Sequence, residues 1–137
     1  GLGDVYKRQV ETYTDDVDFF SIGTNDLIQY TLAADRGLAT LSEYHDALHP
    51  SVLQLINNVI EVGVKCNIEV SVCGDMASDI NGAKVLYALG LRIFSLAPSQ
   101  APLILNSILI SQKKLRNLDK NEILNQKNSQ SVRNIIN

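Results

Sequence analysis

The sequence predicts an α/β fold: a parallel sheet of about three strands with flanking helices. Two observations carry that reading. Three short β-rich runs, 17–22, 68–72 and 92–96, each lead into small or polar residues. Each is followed by apolar residues at helical spacing, so strand and helix alternate along the chain. Such alternation favours a parallel sheet sandwiched between helices. The length of 137 residues suits one core.

The first strand, Val17-Asp-Phe-Phe-Ser-Ile22, runs into Gly23. Thr24, Asn25 and Asp26 follow, residue types whose side chains cap helix N-termini. Leu27, Ile28, Tyr30, Thr31 and Leu32 then form a helix that stops before Arg36-Gly37. After an irregular stretch, Pro50 suits a first helical turn, and Val52, Leu53, Leu55, Ile56, Val59, Ile60 and Val64 extend a long packed helix. The second strand, 68–72, runs into Cys73-Gly74. Ile80, Ala83, Val85, Leu86 and Leu89 give the next helix, closed by Gly90. The third strand, 92–96, enters Ala97-Pro98-Ser99-Gln100, and a helix starts at Pro102. Weaker helical signals lie near 119–126 and 129–136.

Twelve Lys and Arg against fifteen Asp and Glu give a net charge of −3, which argues against a general nucleic-acid binder. No stretch approaches the roughly 18 apolar residues of a membrane span, and the first residues lack the apolar run of a signal peptide. A cytoplasmic protein without a membrane or nucleic-acid partner is expected. From Lys113 onward six basic residues face only two acidic ones, leaving the body strongly acidic. That tail has no aromatic residue for base stacking and spaces its charges among Leu and Ile at helical intervals. It therefore reads as surface helices on an acidic body rather than as a basic arm. Cys66 and Cys73 are too few for a disulfide framework and lack zinc-site spacing, so both are expected as thiols.

In parallel α/β folds ligands gather at the carboxyl ends of the strands. Here those ends are Gly23-Thr24-Asn25-Asp26, Cys73-Gly74-Asp75-Met76 and Ala97-Pro98-Ser99-Gln100. They would bring an acid, an amide, a thiol and backbone N–H groups to one face, which suits a small anionic substrate with a metal. Asp26 can offer oxygens to Mg²⁺ and Asn25 an amide hydrogen to the same anion, but on residue type alone helix capping is the stronger reading for both. Arg36 can hold a carboxylate or phosphate bidentately or pair with Asp35 at the surface, and its spacing does not choose between them. Cys73 lies at the mouth of the fold, where a thiol can give up a proton or attack as thiolate. Cys66, toward the end of a helix, reads as a small buried hydrophobe. His45 and His49 lack partners at metal or triad spacing and read as surface or capping residues.

Four stretches are more specific than their spacings: Val17 to Gly37, His49-Pro-Ser-Val-Leu53, Val72-Cys-Gly-Asp-Met-Ala77 and Phe94-Ser-Leu-Ala-Pro98. Together they resemble enzyme I of the bacterial sugar phosphotransferase system, the phosphoenolpyruvate-protein phosphotransferases. The likeness runs from about Asp16 to about Ile110. It implies the C-terminal portion of a phosphoenolpyruvate-binding (β/α)8 barrel, which in that family also forms the homodimer. By match of motif, Asn25, Asp26 and Arg36 would bind phosphoenolpyruvate, Asp26 would ligate Mg²⁺, and Cys73 would be the catalytic proton donor. The phosphoryl group would pass to a histidine on another part of the enzyme and then to a histidine-containing phosphocarrier protein. Neither His45 nor His49 matches that histidine's motif.

Size agrees with a part of a barrel, since a closed eight-fold barrel takes about 250 residues and an open three-stranded sheet leaves its edges unpaired. Residues 1–9 continue no periodic pattern, resemble adapter-derived peptide and are set aside as a non-native leader. Residues 10–137 are expected to be the C-terminal part of the barrel. Asp75 and Ser78 stand where the family usually carries Glu and Gly, which implies tuning of that loop. Pyruvate phosphate dikinase and phosphoenolpyruvate synthase share the Gly-Thr-Asn-Asp and Cys-Gly motifs, but tend to show a His and Gly-rich segment where this chain reads Asp-Met-Ala-Ser. A noncatalytic regulatory or dimerisation module is the remaining alternative.

Overall fold

The computed structural model describes residues 9–33 and 46–137. Three parallel strands, β1 (Phe19–Gly23), β2 (Glu69–Cys73) and β3 (Ile93–Ser95), form one sheet in sequence order. Gly23 pairs with Cys73, and Cys73 with Ser95, so all three strands end along one rim. Besides a helical stretch at 9–12, the helices are α1 (Thr24–Leu32), α2 (Pro50–Cys66), α3 (Asp75–Ser78), α4 (Ile80–Ala88), α5 (Ala101–Asn117), α6 (Lys120–Leu124) and α7 (Ser129–Ile136).

Local chemistry sets these boundaries. The His49 Nδ1 accepts the Ser51 N–H at 3.2 Å and caps α2, whose Val52, Leu53, Ile56 and Ile60 enter the core. Asp79 caps α4 by accepting the Gly82 N–H at 2.8 Å. Beyond α4 the chain turns at Gly90, where φ is +107°, a conformation that side chains other than glycine's resist.

Side chains alternate across the sheet with period two. Ile22 and Val72 are buried and Phe20, Val70 and Phe94 partly so, on the face toward the helices. On the other face Phe19, Ser21, Gly23, Glu69, Ile93 and Ser95 are exposed, with Ser71 and Cys73 between. The sandwich expected from alternation is therefore one-sided among the described residues. Strand order explains the difference: right-handed crossovers between strands laid down in one direction place every helix on the same face.

The basic tail lies on the body, as its helical spacing suggested. Leu115, Ile123, Val132 and Ile136 are buried, and the Arg133 guanidinium grips Asp46 at 2.7 Å. Elsewhere the Tyr87 hydroxyl accepts Gln112 Nε2 and Arg116 Nε, both at 3.0 Å, tying α4 to α5. One expectation fails: Cys66 is exposed rather than buried. It is the last residue of α2, and Val64, Lys65 and Asn67 around it are exposed as well, because this end of the helix outruns the core. Among the described residues, no helix is long and apolar enough to cross a membrane.

Candidate active site

The rim is built where β1 and β2 end. Gly23 is the N-cap of α1 and brings no side chain to that task, so the helix begins on Thr24 itself. Thr24, Asn25 and Asp26 thus lie in the first turn and are not its caps, which leaves their side chains to act elsewhere. Thr24 is fully buried, and its hydroxyl donates to the Cys73 carbonyl at 3.0 Å. Asn25 Oδ1 accepts the Asp75 N–H at 3.1 Å, capping α3 from across the rim. These two bonds stitch the start of α1 to the loop after β2. Close approach there needs Gly74, whose φ is +104°. A Cβ on it would lie 2.6 Å from Thr24 Oγ1 and 3.0 Å from Asn25 Oδ1.

Cys73 sits half-buried on the bare face of the sheet. Its thiol donates to the Ile22 carbonyl at 3.6 Å, and the Ser21 hydroxyl donates to Sγ at 4.0 Å. The sequence did not single out Ser21 or Thr24. Strand periodicity carried a signal for Ser21, two residues before Gly23 and so on the face that Cys73 shares. Thr24 looked like a cap.

Asn25 and Asp26 face different spaces. Asn25 lines a cavity of about 440 Å³ together with Asp46, Asp75 and Met76. Asp26 is exposed and lines a separate cavity of about 320 Å³ beside β1, with Ser21, Gly23 and Tyr30. Arg36, with Asp35 and His45, lies outside the described residues. The third strand end, 97–100, is exposed and closes as a turn, Gln100 N–H donating to the Ala97 carbonyl at 2.9 Å. No three His, Cys, Asp or Glu side chains gather as a metal cage among the described residues. Asp26 thus offers a single carboxylate. That fits Mg²⁺, which is commonly held through one or two carboxylates plus the oxygens of a bound phosphate.

Residues 8–113 match the family described as PEP-utilising enzyme, PEP-binding domain. The chain belongs to that family. Three relatives of this PEP-binding domain carry the name phosphoenolpyruvate-protein phosphotransferase. The protein from Borreliella burgdorferi is 52% identical over 81 residues, covering 59% of this chain and 14% of its own length. That from Cupriavidus necator is 46% identical over 93 residues, 68% of this chain and 16% of the relative. That from Staphylococcus epidermidis is 42% identical over 113 residues, 82% of this chain and 18% of the relative. The domain therefore spans less than a fifth of these curated relatives. Cys73, Asn25 and Asp26 lie inside the family-matched stretch; α6 and α7 lie beyond it.

Proposed function

We propose that residues 10–137 form the C-terminal part of a phosphoenolpyruvate-binding (β/α)8 barrel in a cytoplasmic, homodimeric phosphotransferase. The enzyme would move the phosphoryl group of phosphoenolpyruvate to one of its own histidines and then to a histidine-containing phosphocarrier protein. The observation that carries this reading is the pair of bonds from Thr24 and Asn25 to the loop after β2. They hold the amide of Asn25 and the thiol end of β2 on one rim. The bare sheet face, and outer strands that pair on one side only among the described residues, support a sheet continued by further strands. Asp26 lines the cavity beside β1, and preceding strands of the barrel would add a second carboxylate to it.

In this mechanism Asn25 and Arg36 orient and neutralise the substrate anion, which is most of what phosphoryl transfer through a loose transition state requires. Asp26 would hold Mg²⁺, which when bound draws charge from the phosphate oxygens. Cys73 holds its proton toward the Ile22 carbonyl and gives it to the methylene carbon of the pyruvate enolate that leaves on phosphoryl transfer, forming pyruvate. Ser21 then donates to the thiolate that remains. The relatives' shared name favours this enzyme over a dikinase or synthase.

Cys73→Ala in the complete protein tests the reading. Pyruvate formation, followed with a coupled dehydrogenase, falls about 10²-fold or more, while Mg²⁺-dependent binding of phosphoenolpyruvate persists. Undiminished pyruvate formation removes Cys73 from its role. Failure of the unaltered protein to bind phosphoenolpyruvate removes the function and leaves the noncatalytic module.

A further inference from the structure

The last helix, α7, lies beyond the family-matched stretch 8–113, yet it reaches back toward the rim. Arg133 Nη1 and Nη2 donate to Asp46 Oδ2 and Oδ1 at 2.7 and 2.9 Å, a planar fork on a carboxylate. Asp46 Oδ1 also accepts the Leu48 N–H at 2.9 Å, and Ser129, at the start of α7, acts on the same carboxylate. Burial pushes this carboxyl up, but the Arg133 guanidinium, the Leu48 N–H and Ser129 outweigh it and hold the group below its ordinary 3.8. The turn so formed seats Leu48, only 2% exposed. Leu48 lines the cavity of about 440 Å³ together with Ile28 of α1 and Met76 of α3. Asn25 and Asp75, the two residues bonded across the rim, line the same space. The two helices that carry the rim thus share a wall with the turn that Arg133 holds.

We propose that Arg133 is a positioning residue: by clasping Asp46 it seats the Leu48 turn between α1 and α3 and sets the spacing of Asn25 and Asp75. That this spacing serves phosphoenolpyruvate rests on the function proposed above; the clasp itself does not. Val132 and Ile136, both buried, keep α7 packed without the ion pair, so the side chain can be removed without detaching the helix. Lysine at 133 would keep the charge and lose the fork.

The test compares the complete protein with its Arg133→Ala and Arg133→Lys variants by two measurements. Amide hydrogen exchange at residues 24–28 and 74–76 should quicken about three- to tenfold in Arg133→Ala and by less in Arg133→Lys. KM for phosphoenolpyruvate should rise about three- to tenfold in Arg133→Ala with kcat within about twofold, as lost positioning of bound substrate requires. Unchanged exchange at the rim, or faster exchange confined to α7, overturns the clasp. Faster rim exchange with an unchanged KM overturns its service to the substrate. If the unaltered protein does not bind phosphoenolpyruvate, the proposed function fails, and rim exchange still decides the clasp.

Discussion

Gly74→Ala should undo the rim from its centre. Gly74 has φ +104° and ψ −176°, a region that is essentially glycine's alone, and another residue held there costs about 1–3 kcal/mol. The new methyl would lie 2.6 Å from Thr24 Oγ1, well inside contact distance. The hydroxyl must then leave the Cys73 carbonyl in a fully buried place, costing about 1–3 kcal/mol more. At 3.0 Å from Asn25 Oδ1 it also strains the bond to the Asp75 N–H, worth about 0.5–1.5 kcal/mol. The expected loss is roughly 3–7 kcal/mol, a large part of the stability of an ordinary domain. Urea unfolding of the complete protein and its variant reads that loss from the shift in midpoint at constant slope. Binding of phosphoenolpyruvate, measured by calorimetry below the transition, should weaken with it. A loss below about 1 kcal/mol with unaltered affinity would refute this reasoning, because it would mean that neither stitch depends on the missing side chain.

Thr24→Val keeps the shape of the buried side chain and removes its hydroxyl, so the Cys73 carbonyl loses its donor; urea unfolding should show a loss of about 1–3 kcal/mol. Asp46 has a folded-state pKa below its usual 3.8, so its stabilisation is complete at neutral pH and disappears as pH falls through the folded value. Asp46→Asn should therefore lower Tm at pH 7 and leave a shallower acid limb, with the two proteins converging below pH 3.8.

Much of the fold was legible because its signals are local. Pro50 before a 3.6-residue apolar stripe, and Gly90 after another, mark helix ends that need no knowledge of the rest of the chain. The parallel sheet followed from alternation. Which faces it would cover did not, because that depends on strand order, a property of the whole topology. At the rim, Asn25 and Cys73 stood out as residue types at strand ends. Their partners did not: on residue type alone Asn25 read first as a helix cap, and only tertiary contact shows that it caps α3 and not its own helix. Cys66 was misread because a thiol near a helix end is buried or exposed according to where the core stops. The tail's charge pattern showed that it lies on the body, but the union of Arg133 with Asp46, 87 positions apart, has no trace in local sequence.

The uncovered side of the sheet also bears on how such a polypeptide behaves in the test tube. Phe19, 63% exposed, and Ile93, 39% exposed, stand on it, on β1 and β3, which are the outer strands of the sheet among the described residues, and outer strands of this kind can recruit foreign strands. At the concentrations used for crystallisation or magnetic resonance, this surface would template stacking of copies into precipitate. Under the barrel reading proposed above, preparations that also carry the neighbouring strands would mask it and stay in solution.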